Sequence, residues 1–253
     1  MAEGDTILRA ARRLERALAG EAVAVRAPSP RGRAAGVERL DGMTVRGVRS
    51  LGKNLVLDFG ALALHSHLGM NGSWHVHAPG EPWRKPVRSA WVVLSTEGGV
   101  EAAQFGGPTL RLLRGGALER DPVLARIGPD VLAPDFDPAD SIRLLRGGPE
   151  RELGDALLDQ GKVAGIGNIF KSEACFAARL DPWRAVGELD DEALERVLRV
   201  ARESMLAAVE SGRHPHDVYR RAGRPCPRCG TPIRSRGQGD DNRTTYWCPR
   251  CQA

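Results

Sequence analysis

The chain has 253 residues, of which 42% are hydrophobic, and a formal net charge of +5 at pH 7. This length allows one main core and a second, smaller unit. No apolar run approaches the ~20 residues of a membrane span, and no basic leader precedes an apolar stretch, so the sequence argues against a membrane protein and a secreted one. We expect a cytoplasmic protein without a disulfide framework.

The first elements in chain order are a helix and a series of strands. After Glu3 and Gly4, apolar residues recur at helical spacing until Gly20 ends an amphipathic helix. Short runs typical of β-strands follow between about residues 22 and 114, separated by Gly and Pro: 44–48, 54–59, 61–67, 90–95 and 109–113. Short strands at such regular intervals predict a β-sandwich or barrel.

The second half of the chain has a helical pattern. An apolar stripe there predicts the buried face of a helix: Leu194, Val197, Leu198, Ala201 and Met205. Prolines before it mark a linker. We therefore divide the chain into residues 1–120, a linker at 121–138, a helical unit at 139–212 and a C-terminal segment at 213–253.

The C-terminal segment contains two cysteine pairs separated by 18 residues: Cys226 with Cys229, and Cys248 with Cys251. Two such pairs match the tetrahedral ligand set of Zn²⁺. Because four thiolates leave no open coordination position, the predicted zinc is structural and takes no part in chemistry. The remaining cysteine, Cys175, has small and apolar neighbours and is predicted to be a buried thiol.

Between the cysteine pairs, residues 231–236 and 242–247 can pair as the two strands of a hairpin. From residue 213 to the end there are nine arginines and three acids, which gives a formal charge of +6. The formal charge of the first 212 residues is therefore −1. A basic hairpin of this kind predicts a surface that contacts a polyanion. An ordinary solvated charged face is the alternative.

A glycine-bearing turn between two predicted helices, at residues 157–171, resembles an anion cradle. Backbone amides and the positive end of a helix dipole would meet there beside Asn168. Phe170 stands where a dinucleotide fingerprint requires a small residue, so we predict no nucleotide cofactor. On its own, the stretch is better explained as a packing turn between two helices.

Several motifs in order along the chain resemble one family. They are the residues 2–6, Gly52-Lys53, His67 to Trp74, Arg126 to Leu132, Val163 to Asn168, and Val218-Tyr219 running into the cysteine pairs. The family is that of the formamidopyrimidine and endonuclease VIII DNA glycosylases, and residues 3–6 and 128–132 are most similar to the endonuclease VIII branch. The resemblance implies an α+β multi-domain fold: a β-sandwich with a leading helix, a helix and two-turn-helix domain, and a zinc-finger hairpin.

The resemblance also implies chemistry at the amino terminus. In the family, the terminal amine attacks the sugar C1′, expels the damaged base and forms a Schiff base through which the strand is cut. This chain has Ala2 where the family usually has proline, and Ala2 becomes the terminus only if Met1 is removed. A primary amine can still form an imine. Glu3 would act as general acid and base, and its alternative is a carboxylate that favours the start of a helix.

Further site residues follow from the same resemblance. Lys53 would contact the phosphate or sugar and assist the elimination, and Arg243 would grip the phosphates that flank the lesion and assist the second elimination, so both count with Ala2 and Glu3 as predicted catalytic residues. Met70 would enter the space left by the flipped base, and its alternative is a core methionine. The matched motifs add four predicted DNA contacts: Arg126, Asn168, Lys171 and Tyr219. The match is weak at residues 103–105, where the family commonly carries an arginine-rich loop.

The sequence thus predicts a bifunctional glycosylase and abasic-site lyase that removes oxidised bases, with pyrimidines favoured by the branch. Damaged DNA is the expected partner, and we expect a monomer associated with the nucleoid. The alternative is a DNA-binding relative whose lyase activity is lost because Ala2 replaces proline. Histidines 65, 67, 75 and 77 alternate as metal ligands can, but no acid or cysteine joins them in sequence, so we predict no second metal site.

Overall fold

The structure is a computed structural model that describes residues 2–253, with positions 115 and 119 described by their backbone alone. Met1, whose removal the predicted chemistry requires, lies outside the described residues. The described chain forms two compact units. The first comprises Ala2 with residues 6–125, and the second comprises Glu3–Asp5 with residues 126–253.

The first unit contains two helices and eight strands. The helices are α1 (Gly4–Leu18), which begins in the second unit, and α2 (Pro30–Ala35). The strands are β1 (Val23–Arg26), β2 (Gly47–Leu51), β3 (Asn54–Asp58), β4 (Leu62–His67), β5 (Ser73–His77), β6 (Ala90–Thr96), β7 (Glu101–Phe105) and β8 (Thr109–Arg114). Every strand pairing among them is antiparallel.

The eight strands form two four-stranded sheets in the orders β1-β6-β7-β5 and β2-β3-β4-β8. Apolar side chains of both sheets and of α1 form one core, with Leu57, Leu64, Val92 and Leu94 fully buried. Alternating residues of each strand therefore face inward, which is the arrangement of a β-sandwich. The predicted sandwich with a leading helix is confirmed.

The second unit is helical and ends in a hairpin. Its helices are α3 (Pro138–Arg146), α4 (Leu153–Ala156), α5 (Asn168–Ala178) and α6 (Asp191–Ser211), and its strands are β9 (Arg234–Gln238) and β10 (Arg243–Trp247). All five residues of the predicted apolar stripe on α6 are buried. Asp190 caps the start of α6 by accepting a hydrogen bond from the amide of Ala193, and Gly212 in the left-handed conformation ends it.

The strand boundaries differ from the sequence prediction in two ways. Three strands were missed, namely β1, β5 and β7, and the predicted strand at 44–48 runs instead from Gly47 to Leu51. In the hairpin, β9 begins at Arg234 and includes Gly237, which we had assigned to the turn. A β-carbon at Gly237 would come within 1.7 Å of the Asn242 side chain, so glycine at this ladder position leaves room for that side chain.

Among the described residues, no helix combines the length and apolar character that crossing a membrane requires.

Candidate functional site

The loop after β4 carries Met70 beside the start of the chain. The backbone nitrogen of Ala2 donates a hydrogen bond to the carbonyl of Gly69 at 3.2 Å. The Met70 side chain is 69% exposed, so the alternative of a core methionine is excluded by the structure. Gly69 has φ +58°, and a β-carbon there would press on Pro108 at 2.8 Å, so glycine allows this tight turn.

Lys53 lies in the tight turn between β2 and β3, as predicted, and is partly buried. Its ammonium is close enough to His67 at the end of β4 to lower the pKa of that imidazole, with burial the larger cause. Ala2, Lys53, His67 and Met70 all belong to the first unit. Residues 103–105, where the match to the family is weak, lie in β7, and all three are buried.

Glu3 is fully buried in the second unit, and its carboxylate accepts two backbone hydrogen bonds from the first turn of α5. The amide of Ile169 donates to Oε1 at 2.8 Å and that of Phe170 to Oε2 at 3.3 Å. The anion at this predicted cradle is therefore a side chain of the protein itself. The contact also excludes the alternative in which Glu3 serves only the start of its own helix.

Glycines make the approach of residues 3 and 4 to α5 possible. A β-carbon at Gly167 would come within 2.3 Å of the Glu3 carboxyl carbon, and one at Gly4 would come within 2.9 Å of Gly165. The amide of Gly4 donates to the carbonyl of Gly165 at 2.9 Å. These close contacts explain why the turn between the two helices contains glycine, and they fix the Glu3 backbone as well as its carboxylate.

Asn168 begins α5 and is buried. Its Nδ2 donates to the carbonyl of Thr244 on β10 at 2.8 Å, and its Oδ1 has no hydrogen-bond partner among the described residues. Arg243, at the start of the same strand, has a side chain that is 45% exposed and lies 3.6 Å from Asp241. Asn168 is therefore attached to the strand that presents Arg243.

The other predicted DNA contacts lie in different surroundings. Arg126 is exposed at the end of a short 3-10 turn. Tyr219 is buried, with its ring 5.2 Å from that of Tyr246 on β10. Lys171 is completely buried, and its ammonium donates to Thr245 Oγ1 at 2.6 Å. A direct phosphate contact by Lys171 or Tyr219 stays a prediction, and burial favours a supporting role for both.

Sequence reasoning missed two buried carboxylates that organise the second unit. Glu173 on α5 accepts hydrogen bonds from the amides of Asp217, Val218 and Tyr219. Asp5 lies 2.9 Å from His214 Nε2. Each contact joins residues far apart in the chain, so no local pattern could have indicated it.

The four C-terminal cysteines converge as predicted. Their sulfur atoms all lie within 4.8 Å of one another, with Cys226 Sγ 3.9 Å from Cys251 Sγ and Cys229 Sγ 3.5 Å from Cys248 Sγ. Four thiolates at about 2.3 Å from one Zn²⁺ are separated by about 3.8 Å, so the set fits a structural zinc. Among the side chains that the structure describes, it is the only such group of three or more possible metal ligands.

Two further candidates for metal binding or reactivity, His65 and Cys175, are buried. His65 is buried between Asn54 and Arg111, and burial, together with the Arg111 charge, lowers its pKa to about 4. Cys175 is fully buried, and burial raises the pKa of its thiol to about 12. It is therefore an unreactive thiol at neutral pH.

Three family models match successive parts of the chain. The formamidopyrimidine-DNA glycosylase N-terminal domain matches residues 1–106, and the formamidopyrimidine-DNA glycosylase H2TH domain matches 127–218. A zinc finger found in FPG and IleRS matches residues 223–253, which contain the four cysteines.

Individual proteins match over the whole length. The chain is 44% identical to a probable endonuclease 8 2 of Streptomyces coelicolor over 100% of this chain and 94% of that protein. It is 38% identical to the DNA-(apurinic or apyrimidinic site) lyase Nei2 of Mycolicibacterium smegmatis over 100% and 99%, respectively. The crystal structure of Lactococcus lactis formamidopyrimidine DNA glycosylase bound to DNA containing an abasic site has the same fold, with a TM-score of 0.83, 24% identity and 99% of each chain covered. The chain therefore belongs to the family of formamidopyrimidine-DNA glycosylases and endonuclease VIII enzymes.

Proposed function

We propose that this protein is a bifunctional DNA glycosylase and abasic-site lyase of base excision repair. The observation that carries the proposal is the placement of Glu3: a fully buried carboxylate, held by two backbone amides, directly follows the residue that would supply the nucleophile. The named activities of the similar proteins from Streptomyces and Mycolicibacterium support it.

In the proposed reaction, the α-amine of Ala2 attacks C1′, and the bond from C1′ to the damaged base breaks. An α-amine has a pKa of about 8, so an appreciable fraction is unprotonated at neutral pH. Loss of a proton from the amine and opening of the sugar ring give a Schiff base. Abstraction of a C2′ proton then breaks the bond to the 3′ oxygen and cuts the strand.

Glu3 would move the protons in this sequence. The two backbone amides would hold the Glu3 carboxyl group in place while its protonated form donates to the sugar ring oxygen. The zinc would hold the hairpin through Cys226, Cys229, Cys248 and Cys251 and supplies structural support alone.

Basic and polar groups of the second unit would contact the DNA. Arg243 and Arg126 are exposed, and one N–H of the Asn168 amide is not used by a hydrogen bond among the described residues. Met70 would fill the gap left by the flipped nucleotide because it is a large, exposed apolar side chain. We extend the proposal to oxidised pyrimidines as substrates and to a cytoplasmic monomer without a nucleotide cofactor, acting at the nucleoid.

The four-part division at 1–120, 121–138, 139–212 and 213–253 belongs to the same proposal. In this division, residues 139–212 contain Asn168 and the α5 amides that hold Glu3. Residues 213–253 contain the hairpin that bears Arg243. Limited proteolysis tests it, because cleavage is expected first within 121–138 and around residue 213.

Covalent trapping tests the proposed chemistry. The intact mass first establishes what fraction of the protein has lost Met1. That fraction, mixed with an abasic-site duplex and borohydride, should form an adduct that maps to the nitrogen of Ala2, and protein that retains Met1 should form none. Glu3→Gln should suppress base release by at least about a hundredfold. Glu15→Gln is the control, because Glu15 is another carboxylate on α1 that accepts a backbone amide, that of Val48.

The same experiment decides between the enzyme and its alternative, a DNA-binding relative without lyase activity. If exposed Ala2 forms no adduct while Ala2→Pro traps readily, the natural protein is the binding relative. An adduct at Lys53 would leave the glycosylase assignment intact but would remove Ala2 as the nucleophile.

Salt dependence tests the grip on DNA separately from chemistry. Arg243→Gln should reduce the slope of log affinity against log salt by about 0.9, the value for one lost phosphate contact. Arg143→Gln is the control, because that exposed arginine is already paired with Asp140 at 2.7 Å. Equal slopes for both variants would exclude Arg243 as a phosphate contact.

A further inference from the structure

Lys171 is a charged side chain with no exposed surface. It lies one helical turn after Asn168 on α5, and its ammonium donates to Thr245 Oγ1 on β10 at 2.6 Å. Burying a lone cation is costly unless hydrogen bonds and opposite charges compensate for lost water. The surroundings of Lys171 must therefore explain why a charged residue occupies this position.

A continuous buried chain of hydrogen bonds begins at this ammonium. The Thr245 hydroxyl donates to Gln238 Oε1 on β9 at 2.6 Å. The Gln238 amide in turn donates to Glu152 Oε2 at 3.0 Å and to the carbonyl of Pro182 at 2.7 Å. The chain links α5, both strands of the hairpin, and the segments around residues 152 and 182.

Close packing surrounds this chain of hydrogen bonds. A β-carbon at Gly154 on α4 would come within 2.3 Å of Gln238 Oε1, and one at Gly239 would come within 1.9 Å of Asp155 Oδ1. Glycine at these positions, with φ +67° at Gly239, leaves room for the Gln238 and Asp155 side chains where they lie. The hairpin therefore rests directly on α4 and α5.

Charged groups from several elements act on Lys171. Burial lowers the pKa of its ammonium to about 8, and Arg243 on β10 acts in the same direction. Cys175 on the same helix, Asp155 on α4 and Glu3 at the start of the chain favour the charged form. Lys171 is thus electrostatically coupled to Glu3, the proposed proton carrier, and to Arg243, the proposed phosphate contact.

We propose that Lys171 is a positioning residue that pins the zinc hairpin to α5 and maintains a buried positive charge beside Glu3. In this role it acts through Thr245 on β10, the strand that presents Arg243, through Gln238 on β9, and through electrostatic attraction on Glu3. The effect of Lys171 on catalysis rests on the proposed function. The pinning of the hairpin to α5 does not.

Hydrogen exchange of the full-length zinc-loaded protein tests the pinning. Lys171→Met keeps the length of the side chain and removes its charge and donors, and Thr245→Val removes the hydroxyl at nearly constant volume. In both variants, amides of β9 and β10 should exchange about tenfold faster or more, with one zinc still bound. Thr245→Ser keeps the hydroxyl and should restore slow exchange.

Lys85→Met is the matched control. Lys85 also donates to a hydroxyl, that of Ser73 at 2.9 Å, but it lies in the first unit. This variant should leave hairpin exchange and lyase rate unchanged. Unchanged hairpin exchange in both Lys171→Met and Thr245→Val would overturn the pinning, whatever their activities.

Kinetics on an abasic-site duplex test the catalytic part. Lys171→Met should lower the single-turnover lyase rate about tenfold and change KM less than threefold, because the groups that touch DNA remain present. The decline in rate above about pH 8 that we expect for the wild type should disappear. Loss of affinity at an unchanged rate would overturn the proposal and make Lys171 a direct phosphate contact. If the wild type forms no adduct, the proposed function fails, and hydrogen exchange still decides the pinning.

Discussion

The β-sandwich and the zinc hairpin both consist of antiparallel strands, but different forces stabilise them. The sandwich encloses a large apolar core contributed by two sheets and α1. The cluster at the hairpin contains only five buried residues, of which Cys226 and Cys248 are predicted zinc ligands. Burial of apolar surface therefore accounts for the first structure, whereas the second depends on its metal and on buried polar contacts.

The polar contacts are concentrated where the proposed chemistry lies. Glu3, Glu173 and Lys171 are buried charged groups of the second unit, and each is satisfied by specific hydrogen bonds to α5 or to residues packed against it. Polar contacts have defined directions, whereas apolar contacts tolerate small displacements. This difference suits a region that must hold a proton carrier and a phosphate contact in fixed positions.

Zinc removal should produce the largest difference between the two structures. Structural zinc contributes about 10–16 kcal/mol in small zinc domains, far more than three apolar side chains can replace. A chelator should therefore abolish the folded-state amide signals of β9 and β10 in an NMR spectrum while those of β3 and β4 persist, and added Zn²⁺ should restore them. If the folded hairpin signals survived after zinc loss had been verified, the hairpin would not depend on its metal.

A cavity in the sandwich should produce the opposite result. Leu57 is fully buried at the centre of β3, so Leu57→Ala should destabilise the sandwich by about 2–5 kcal/mol. Hydrogen exchange of β3 and β4 should accelerate, with zinc content and hairpin exchange unchanged. Loss of zinc from this variant would show that the two structures are coupled.

The same contrast explains what the sequence could predict. The helix at residues 4–18, most sandwich strands and the zinc ligands follow from periodicity and spacing. Strand β7 was missed because Ala102 and Ala103 are weak strand formers, and β1 because it has only four residues. Local patterns thus predict elements whose stability comes from apolar periodicity or a short ligand motif.

The contacts around the candidate site carry no such pattern. Glu3 accepts amides that lie 166 and 167 residues away, and Lys171 donates to a hydroxyl 74 residues away. Lysine is rarely fully buried, so its sequence position favoured a surface role. The family resemblance pointed to residues on α5. Only the fold shows that Glu3 accepts hydrogen bonds from the amides of this helix and that Lys171 points into the interior.

Glu173 provides an intermediate test of polar stabilisation. Glu173→Gln places an amide donor where a carboxylate oxygen accepts backbone amides of residues 217–219, and one donor would lose its partner. We expect a loss of about 2 kcal/mol, seen as faster exchange of those three amides. Glu195→Gln, on the exposed face of α6, should have no such effect. Equal exchange in the two variants would show that the carboxylate contributes little.

The pH dependence of stability should reveal the smallest effect, the cost of burying Lys171. Its pKa is about 8 in the folded protein and 10.5 as the ordinary value, so between these limits the unfolded chain binds more protons than the folded one. Stability then rises with pH, because folding no longer requires burial of a charge. Relative to Lys171→Met, the free energy of unfolding of the wild type should increase by about 1 kcal/mol between about pH 7.5 and about pH 9. Using the difference between the two proteins removes the contribution of every group they share, including the zinc thiolates. If this difference stayed constant or fell as the pH rose, Lys171 would not be buried as an ammonium. The case for polar stabilisation of the second unit would then rest on Glu3 and Glu173 alone.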